Sequence, residues 1–589
     1  MIEWLHPGLL LIGGAALVPL LKGRLLQAYL PCLAIAALLD CILMVPGTYG
    51  TARFLDYTLT FGRVDRLSLV FAYVFTLAGA ISFIYALHVK DRLQHVAALI
   101  YMGSALGVTF AGDYFVLFIF WELMAFSSVF LVWANRTPES ISAGFRYLLV
   151  HVFGGLCLLG GIMLHIGQTG SISFDAMHAF AGSAAFTLIL FGFILNAAVP
   201  PLNAWLPDAY PSATVTGAVF MSAYTTKSAV YVLVRGFAGT EALMWLGAVM
   251  AVYGVIYATM ENNGRRLLAY HIISQVGFMV CGIGIGTEMA VNGATAHAFA
   301  HIIYKGLLFM GAGAVLYMAG TVKLSELGGL YKTMPLTMIF FLVGGLSIAG
   351  APLMSGFVSK SMTISGAGEQ HNAFAFLMLT LASSGTFLSI VLKMTYYMFF
   401  GKDCGRQVTD PPKNMLVAMG IASFICIFIG IFPKSLYALL PYPAEYAPYT
   451  AQHVLDSLGL FFFTTLGFIL FMKKLDPKPG LNLDTDWFYR KAAQGFMRVV
   501  RKPIASFEYR VVGEAYEYII RSAILLVSRV VNHFETEAVQ PSPQSLAAQT
   551  GRMGGALQRL QTGKVHDYAL VMVAGMVALA LSYVFWWAK

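Results

Sequence analysis

Three ionisable residues recur at intervals of four in one strongly apolar run: His297, His301 and Lys305 in ATAHAFAHIIYKGLLFMGAGAV. On an α-helix this spacing stacks all three side chains on one face. A charged side chain at the centre of a bilayer costs roughly 2.5–3.5 kcal/mol, so such residues are functional candidates. A satisfied core position would explain one of them well but all three poorly. The pattern predicts a proton relay.

Four further ionisable residues interrupt other apolar runs. Glu122 lies in FIFWELMAFSS without a basic residue in its own run, so its partner must come from another helix. Lys227 is central in its run, which disfavours snorkelling to the membrane interface. Lys360 ends PLMSGFVSK, and Lys393 lies in SSGTFLSIVLKMTYYMFF. Desolvation disfavours a charged ammonium group, so buried lysines can exchange protons near neutral pH. We predict that all four take part in proton or cation translocation.

Two histidines add groups that titrate near neutral pH to other runs. His151 lies in FRYLLVHVFGGLCLLGG and His271 in RRLLAYHIISQVGFM. Either one alone could equally be a satisfied core histidine. We therefore treat them as secondary candidates that would extend the series of acids and bases through a helical bundle.

Prolines lie deep inside two of the apolar runs. Pro200 and Pro201 occur in FGFILNAAVPPLNAWL, and Pro352 occurs in GLSIAGAPLMSGFVSK. A helix broken at membrane depth is tolerated only where the freed backbone groups face protein or water. A lone proline could simply kink a packed helix. Two breaks near polar residues, well separated along the chain, are instead typical of inverted-repeat transporters.

The metal and cofactor motifs that the sequence could carry are missing. The six cysteines are scattered and form no C-x-x-C pair, which argues against iron–sulfur and structural zinc sites. His297 and His301 have the spacing of a zinc pair, but no carboxylate or thiolate lies nearby to complete a site. We predict no metal, no cofactor and no redox or nucleotide chemistry performed by this chain itself.

The composition sets the environment of these residues. The 589 residues are 58% hydrophobic and only 11% charged, too few charged side chains to cover a water-facing surface of this size. The chain is therefore a multi-pass membrane protein whose partner is the lipid bilayer. Nucleic-acid binding, disorder and a disulfide scaffold are excluded. The net charge of +9 is explained by Lys and Arg in cytoplasmic loops and tail.

Apolar runs long enough to span a bilayer follow one another almost without pause. We predict about fifteen spans between Leu5 and Phe471 and a last one over Tyr568–Trp587, about sixteen in all. Alternating polar and apolar residues around Thr48–Arg63 predict a small extramembrane hairpin. Residues 473–564 mix charges with apolar residues at helical spacing, which predicts an amphipathic helix on the membrane surface or a cytoplasmic helical tail.

Seven strings appear in an order that resembles one known family: FIFWELMAFSS, FRYLLVHVFGG, PPLNAWLPDAYP, TTKSAVYVLVR, RRLLAYHIISQVGFM, AHAFAHIIYKGLLFMGAG and GAPLMSGFVSK. The resemblance is to the antiporter-like membrane subunits of Mrp cation/proton antiporters, respiratory complex I and membrane-bound hydrogenases. It covers roughly Arg66 to Gly401. The lysine of TTKSAVY and the histidine of LLAYHIISQ resemble the D-type subunit of the Mrp Na+/H+ antiporters, whereas a surface helix with a final span resembles the largest antiporter-like subunit of complex I.

The resemblance implies an all-α fold with two inverted five-helix repeats, each containing a broken helix. It divides the chain into N-terminal helices (1–92), a first half-channel (93–240), a second half-channel (241–401), peripheral helices (402–472), the amphipathic segment (473–564) and a final span (565–589).

The resemblance also implies residue roles. Glu122 matches the glutamate of the first half-channel, Lys227 its inner lysine or histidine, and Lys360 the terminal charged residue of the second half. His297, His301 and Lys305 match the central relay. One position departs: Asn196 stands where the family usually has a lysine, and asparagine cannot take up a proton at neutral pH.

The function implied is proton or cation translocation by one subunit of a larger complex in a bacterial or archaeal cytoplasmic membrane. The partners would be other membrane subunits, protons and either Na+ or K+. Three alternatives remain open: the membrane subunit of an inorganic-carbon uptake module, a quinone-linked oxidoreductase subunit, and a mainly structural subunit. The neighbouring genes, or a quinone or redox cofactor retained by the purified chain, would distinguish them.

Overall fold

The computed structural model describes residues 4–406, 408–478, 480, 484–500, 505–507, 513–538, 544–558, 570–576, 578–579 and 582. Half of the predicted final span, Tyr568–Trp587, lies outside these residues. By contacts, the chain divides into two units, Met1–Tyr489 and Arg490–Lys589. The first unit therefore extends beyond the last predicted peripheral helix and includes the start of the amphipathic segment.

An antiparallel hairpin follows the first two helices and confirms the predicted one. Its strands are β1 (Gly47–Phe54) and β2 (Tyr57–Val64), paired from Gly47 opposite Val64 to Phe54 opposite Tyr57. The helices before it are α1 (Pro7–Ala15) and α2 (Gly23–Leu43). Apart from this hairpin, the described residues form helices and connecting segments, as the predicted all-α membrane fold requires.

The helices of the first half follow in order: α3 (Arg66–Tyr85), α4 (Arg92–Phe110), α5 (Tyr114–Trp133), α6 (Pro138–Thr169), α7 (Ala184–Asn196), α8 (Trp205–Ser212), α9 (Val215–Ala223) and α10 (Thr225–Phe237). Polar capping residues determine where several of these helices begin. Asp65 and Ser68 form a reciprocal capping box at α3, and Thr137 and Ser140 form another at α6, satisfying backbone N–H groups that the first turn leaves free.

The second half contains α11 (Glu241–Met260), α12 (Gly264–Ile285), α13 (Glu288–Ala319), α14 (Pro335–Ala349), α15 (Ser355–Glu369) and α16 (Ala373–Thr386). The last of these continues as π-helix over Phe387–Met394 and Tyr396–Phe400. Helices α17 (Lys413–Ile431), α18 (Lys434–Tyr437) and α19 (Ala451–Phe471) follow. The C-terminal helices are α20 (Asp486–Val499), α21 (Ala505–Phe507), α22 (Glu514–Ala538) and α23 (Gln544–Gln558).

Eleven helices of the described residues are long and apolar enough to cross a membrane, fewer than the predicted sixteen spans. They are α2 to α6, α11 to α13, α16 with its π-helical continuation, α17 and α19. The difference has a physical reason: several apolar runs are divided between two shorter helices. Such pairs are α7 with α8, α9 with α10, and α14 with α15. Helices α12 and α13 are central, with 94% and 83% of their apolar windows buried, whereas α19 is peripheral with 6%.

The chain leaves helical geometry near both sets of prolines. Between α7 and α8, Ala198 has a φ of 59° and the Pro200–Pro201 peptide bond is cis. Between α14 and α15, beside Pro352, Leu353 has a φ of 69°. Positive φ is uncommon for residues other than glycine, so both linkers are held in place by the packing around them. Each break frees carbonyl groups at the end of the preceding helix.

Candidate functional site

The central helix α13 carries His297, His301 and Lys305, and all three are fully buried. The ring centroids of the two histidines are 6.2 Å apart. Tyr304 lies beside both rings, at 6.2 Å from His297 and 5.2 Å from His301. The spacing predicted from the sequence therefore gives a row of three buried ionisable side chains on one central helix.

Hydrogen bonds to side chains of α12, α13 and α15 hold His297. Its Nδ1 lies 3.0 Å from the hydroxyl of Ser359 on α15. Its Nε2 lies 3.2 Å from the amide oxygen of Gln275 on α12 and 3.3 Å from the hydroxyl of Tyr304. The Gln275 oxygen can only accept, but the Ser359 and Tyr304 hydroxyls can either donate or accept. His297 can therefore change its protonation without losing all of these contacts.

His301 and Lys305 differ from His297. Both ring nitrogens of His301 and the ammonium nitrogen of Lys305 are buried, and none has a hydrogen-bond partner among the described residues. Lys227, Lys305 and Lys360 all lie close enough to His301 to interact with it electrostatically. A buried charge without a partner is costly, so it is unfavourable for His301 and Lys305 to be protonated at the same time.

Lys227 and Lys360 are each held at a helix irregularity. The ammonium group of Lys227 donates to the main-chain oxygen of Ser222, 2.7 Å away at the end of α9, and to the Thr226 hydroxyl at 3.2 Å. That of Lys360 donates to the main-chain oxygen of Ile348 at 2.7 Å, at the end of α14. Both lysines thus satisfy carbonyls that the breaks free, at helix ends that favour a positive charge.

His271 lies on α12, and Lys393 lies on the π-helical segment that continues α16. His271 Nε2 lies 2.7 Å from the hydroxyl of Ser389. Lys393 donates to the main-chain oxygens of Thr259 at 2.5 Å and Glu261 at 2.9 Å, where α11 ends. Lys393 therefore caps the end of a helix, while His271 interacts electrostatically with Lys305 and Lys360.

The other first-half candidates, Glu122, His151 and Asn196, lie on α5, α6 and α7. Glu122 on α5 has an Oε1 atom that is buried without a hydrogen-bond partner, and among the described residues it forms no ion pair. His151 on α6 lies 2.8 Å, through Nδ1, from the amide oxygen of Asn196 at the end of α7. The structure brings His151 and Asn196 together, and it pairs Lys227 with backbone oxygen and Thr226 rather than with Glu122.

Sequence reasoning missed the polar residues that hold the histidines: Gln275, Tyr304, Ser359 and Ser389. Gln275 follows His271 by four residues and so lies one helical turn away on the same face, which was a usable signal. The two serines carried no comparable signal, because small polar residues are common in membrane helices. Among the residues that the structure describes, no group of three or more His, Cys, Asp or Glu side chains is placed to hold a metal ion.

Comparison with known proteins finds one family match and similar proteins that are named as antiporter subunits. Residues 111–399 match the family described as NADH:quinone oxidoreductase/Mrp antiporter, TM. The A1 subunit of the Na(+)/H(+) antiporter of Staphylococcus haemolyticus (strain JCSC1435) is 30% identical over 457 residues, 69% of this chain and 56% of the relative. The corresponding A-type subunit of Alkalihalophilus pseudofirmus (strain ATCC BAA-2126 / JCM 17055 / OF4) is 30% identical over 435 residues, 65% of this chain and 54% of the relative.

The chain thus spans a little over half the length of these two curated relatives. Both are named as A-type subunits, rather than as the D-type subunit that the lysine and histidine at positions 227 and 271 resemble. Two residues in short motifs carry less information than an alignment of several hundred.

Two solved structures share the fold. The Mrp complex from Dietzia sp. DQ12-45-1b contains a chain that matches with a TM-score of 0.67 and 22% identity, covering 79% of this chain and 98% of that one. The membrane-bound sulfane sulfur reductase, an archaeal respiratory membrane complex, matches with a TM-score of 0.67 and 24% identity, covering 77% and 98%. With the family match over α5 to α16 and the buried row on α13, these findings identify the chain as a member of the NADH:quinone oxidoreductase/Mrp antiporter transmembrane family.

Proposed function

We propose that this chain translocates protons in exchange for Na+ or K+ as one subunit of a multisubunit membrane complex. The observation that carries the proposal is the buried row His297, His301 and Lys305, flanked by two lysines that each hold a backbone carbonyl at a helix irregularity. The relatives named as Na(+)/H(+) antiporter subunits support the same activity.

Protons would move by changing the charge of neighbouring groups in turn. Lys227 and Lys360 have fixed acceptors for a charged ammonium group, whereas Lys305 and His301 have none among the described residues. A proton arriving at His301 would therefore be repelled by the charged lysines around it, and it would pass to one of them once that lysine had lost its own proton. Electrostatic coupling of this kind links one end of the row to the other.

The finer architecture is part of the proposal. Residues 93–240 and 241–401 would form the two inverted repeats, with the breaks after α7 and α14 at equivalent places. The broken helices and a final span would bring the total to about sixteen crossings. The amphipathic helices of residues 473–564 would lie on the membrane surface and contact other membrane subunits, since their exposed apolar side chains need a covering.

Charge distribution supports an orientation. Salt bridges and hydrogen bonds tie the β-hairpin to the loops at one end of the bundle, through Arg63 with Asp175 and Thr60 with Asp113. Lysine and arginine are much more frequent at the opposite end, which we place in the cytoplasm of a bacterial or archaeal cell by the positive-inside rule. The basic residues there include Lys90, Arg92, Arg136, Arg146, Arg265, Arg266, Lys323, Lys332, Lys402, Arg406, Lys413, Lys473 and Lys474.

The test is ion flux through the complex in proteoliposomes containing a pH-sensitive dye. We expect a pulse of Na+ or K+ to drive proton movement in wild type and not in Lys305→Ala, with Lys332→Ala as a matched lysine at the surface. Proton movement driven by a redox donor alone would favour a respiratory complex. An absence of proton movement under every cation and donor would contradict the proposal.

A further inference from the structure

The first half lacks the lysine that its family usually has, and the structure places a histidine against the asparagine that replaces it. His151 and Asn196 are each 1% exposed, and they come from different helices, α6 and α7. Their contact joins Nδ1 of the ring to the amide oxygen at 2.8 Å. The residue that stands in place of the usual lysine, Asn196, therefore contacts a different titratable group, the imidazole of His151.

The direction of this hydrogen bond decides the tautomer of His151. An amide oxygen can only accept, so the ring donates from Nδ1. In the neutral ring Nε2 is then left with a free lone pair, and this atom is buried without a partner among the described residues. In many proteins a carbonyl or carboxylate oxygen orients a histidine by accepting a hydrogen bond from one ring nitrogen. Asn196 does the same here: it holds Nδ1 of His151 and leaves Nε2 as a base.

The acid of the first half faces the same part of α6. Gly155 follows His151 by four residues, and a Cβ atom on Gly155 would overlap Oε1 of Glu122. Residues four apart share a helix face and are separated by about 6 Å along its axis. The carboxyl group of Glu122 and the ring of His151 therefore meet successive turns of one helix, and Glu122 Oε1 also has no hydrogen-bond partner in the described chain.

Aromatic side chains enclose the imidazole. The ring centroids of Tyr147 and Trp205 lie 4.2 Å and 4.5 Å from that of His151. The hydroxyl of Tyr147 is occupied by Ser128, 2.8 Å away on α5. These large aromatic side chains keep bulk water from the imidazole of His151.

We propose that His151 carries protons in the first half and that Asn196 is its positioning residue. This inference rests on the proposed function of the chain. In the transfer, the O–H bond of protonated Glu122 breaks and an N–H bond forms at Nε2 of His151, directly or through hydrogen-bonded water. The products are a carboxylate and an imidazolium, so charge is conserved. The reverse step restores both neutral groups, and no oxidant or other reactant is needed.

Proton flux tests the carrier. His151→Gln keeps an amide that can bond Asn196 but cannot titrate, and we expect it to lower flux at least about ten-fold at unchanged complex abundance. Asn196→Asp keeps an oxygen at the same place and should retain more flux than Asn196→Leu. Wild-type flux in His151→Gln, measured in vesicles where Lys305→Ala is inactive, would overturn the inference while leaving translocation intact. If wild-type complex itself showed no proton flux, the result would instead contradict the proposed function.

The tautomer supplies a readout that a merely structural contact would not give. Nitrogen-15 NMR of histidine-labelled complex, with His151→Gln used to assign the resonance, should show Nδ1 protonated and Nε2 bare in wild type. Asn196→Leu should abolish this preference, and Asn196→Asp should keep it. A wild-type ring protonated on Nε2 alone, or the same spectrum in Asn196→Leu, would contradict the positioning role of Asn196.

Discussion

The ammonium group of Lys360 lies 2.7 Å from the main-chain oxygen of Ile348, across the break that separates α14 from α15. The carbonyl is available because α14 ends at Ala349, so no residue further along that helix can donate to it. The contact links the charge of one lysine to the geometry of the break. Loss of a proton from Lys360 would weaken the contact and change the potential felt by His297, with which Lys360 also interacts.

Lys360→Met is predicted to abolish proton flux, since it keeps most of the side-chain length but removes the charge at the break. Lys393→Met should retain most of the flux, because Lys393 bonds the main-chain oxygens of Thr259 and Glu261 at the end of α11. The measurement is flux in proteoliposomes at matched complex abundance. Full activity in Lys360→Met with none in Lys393→Met would show that Lys393 is the end-point of the second half.

His301→Ala and Lys305→Ala are predicted to lose transport without losing the fold. Neither side chain has a hydrogen-bond partner in the described part of the chain, so truncation breaks no contact of that kind. Each truncation loses packing contacts, which destabilises the fold. It also removes a buried polar group that has no hydrogen-bond partner, and this gain offsets part of the loss. Vesicle pH gradients should collapse while the thermal stability of the complex stays within a few degrees of wild type. Wild-type gradients in both variants would exclude the relay.

Local patterns predicted much of the fold. The hairpin follows from alternation between turn formers at 47–64, and the helix breaks coincide with the prolines at 200, 201 and 352. The row on α13 follows from spacing alone. Each of these depends on residues close together in sequence, where steric and hydrogen-bonding rules act directly.

Contacts distant in sequence were not predictable in the same way. His151 and Asn196 are 45 residues apart, and Lys393 and Thr259 are 134 apart. Hydropathy gives no depth within a run, so it did not indicate that Lys393 donates to main-chain oxygens at the end of α11. The amphipathic segment also looked uniform, yet Asp484 within it is 4% exposed and accepts a hydrogen bond from Tyr270 at 2.6 Å.

Asp65→Asn is predicted to destabilise the hairpin end of the bundle. Burial raises the pKa of Asp65, but hydrogen bonding and the charge of Arg235 outweigh it and hold the pKa below its usual value. Breaking a buried pair costs roughly 3–5 kcal/mol, and the 38% exposure of the Asp65 side chain reduces this to about 2 kcal/mol. Thermal unfolding in detergent should show the loss, with Asp56→Asn in the hairpin turn as control.

The same pair predicts a pH dependence. A carboxyl group with a lowered pKa stabilises the folded state above its unfolded pKa, and this contribution is lost as pH falls through the folded pKa. The part of stability that depends on Asp65 should therefore be constant above about pH 4 and decline only below it. An equal difference between wild type and Asp65→Asn at every pH would show that the charge of Asp65 is unimportant.

Truncation after Val499 is predicted to release this chain from its complex while its core stays folded. The cut removes α22 and α23, whose exposed apolar side chains include Ile519 and Ile524, and it keeps Asp484 with its contacts to Tyr253 and Tyr270. Native gels and the detergent-solubilised size separate release from misfolding. A cut before Leu481 should destabilise the core as well, because it also removes Asp484. Intact assembly after the shorter truncation would reduce the segment to a dispensable tail.

The carboxyl group of Glu122 allows a test of whether the first half works without its usual lysine. If this half is active, Glu122→Gln should abolish coupling, and Asn196→Lys should perturb it by placing an ammonium group near the carboxylate. If the first half takes no part in transport, Glu122→Gln should change coupling very little. A harmless Glu122→Gln with a harmful Lys227→Ala would place proton handling on the lysine without its proposed acid.

Two adjacent glycines allow the position of that carboxyl group to be tested without changing its chemistry. In Gly155→Ala the new Cβ would overlap Oε1 of Glu122, so the carboxyl group must move away from α6. The end of a flexible side chain can move at little cost, and alanine is about 1 kcal/mol better than glycine inside a helix, so stability should not fall. In Gly154→Ala the Cβ would lie 3.2 Å from the δ-methyl groups of Leu195 and should leave Glu122 in place. We therefore expect proton flux to fall several-fold in Gly155→Ala and to stay near wild type in Gly154→Ala. Equal flux in both variants would mean that transport does not depend on where the carboxylate of Glu122 lies.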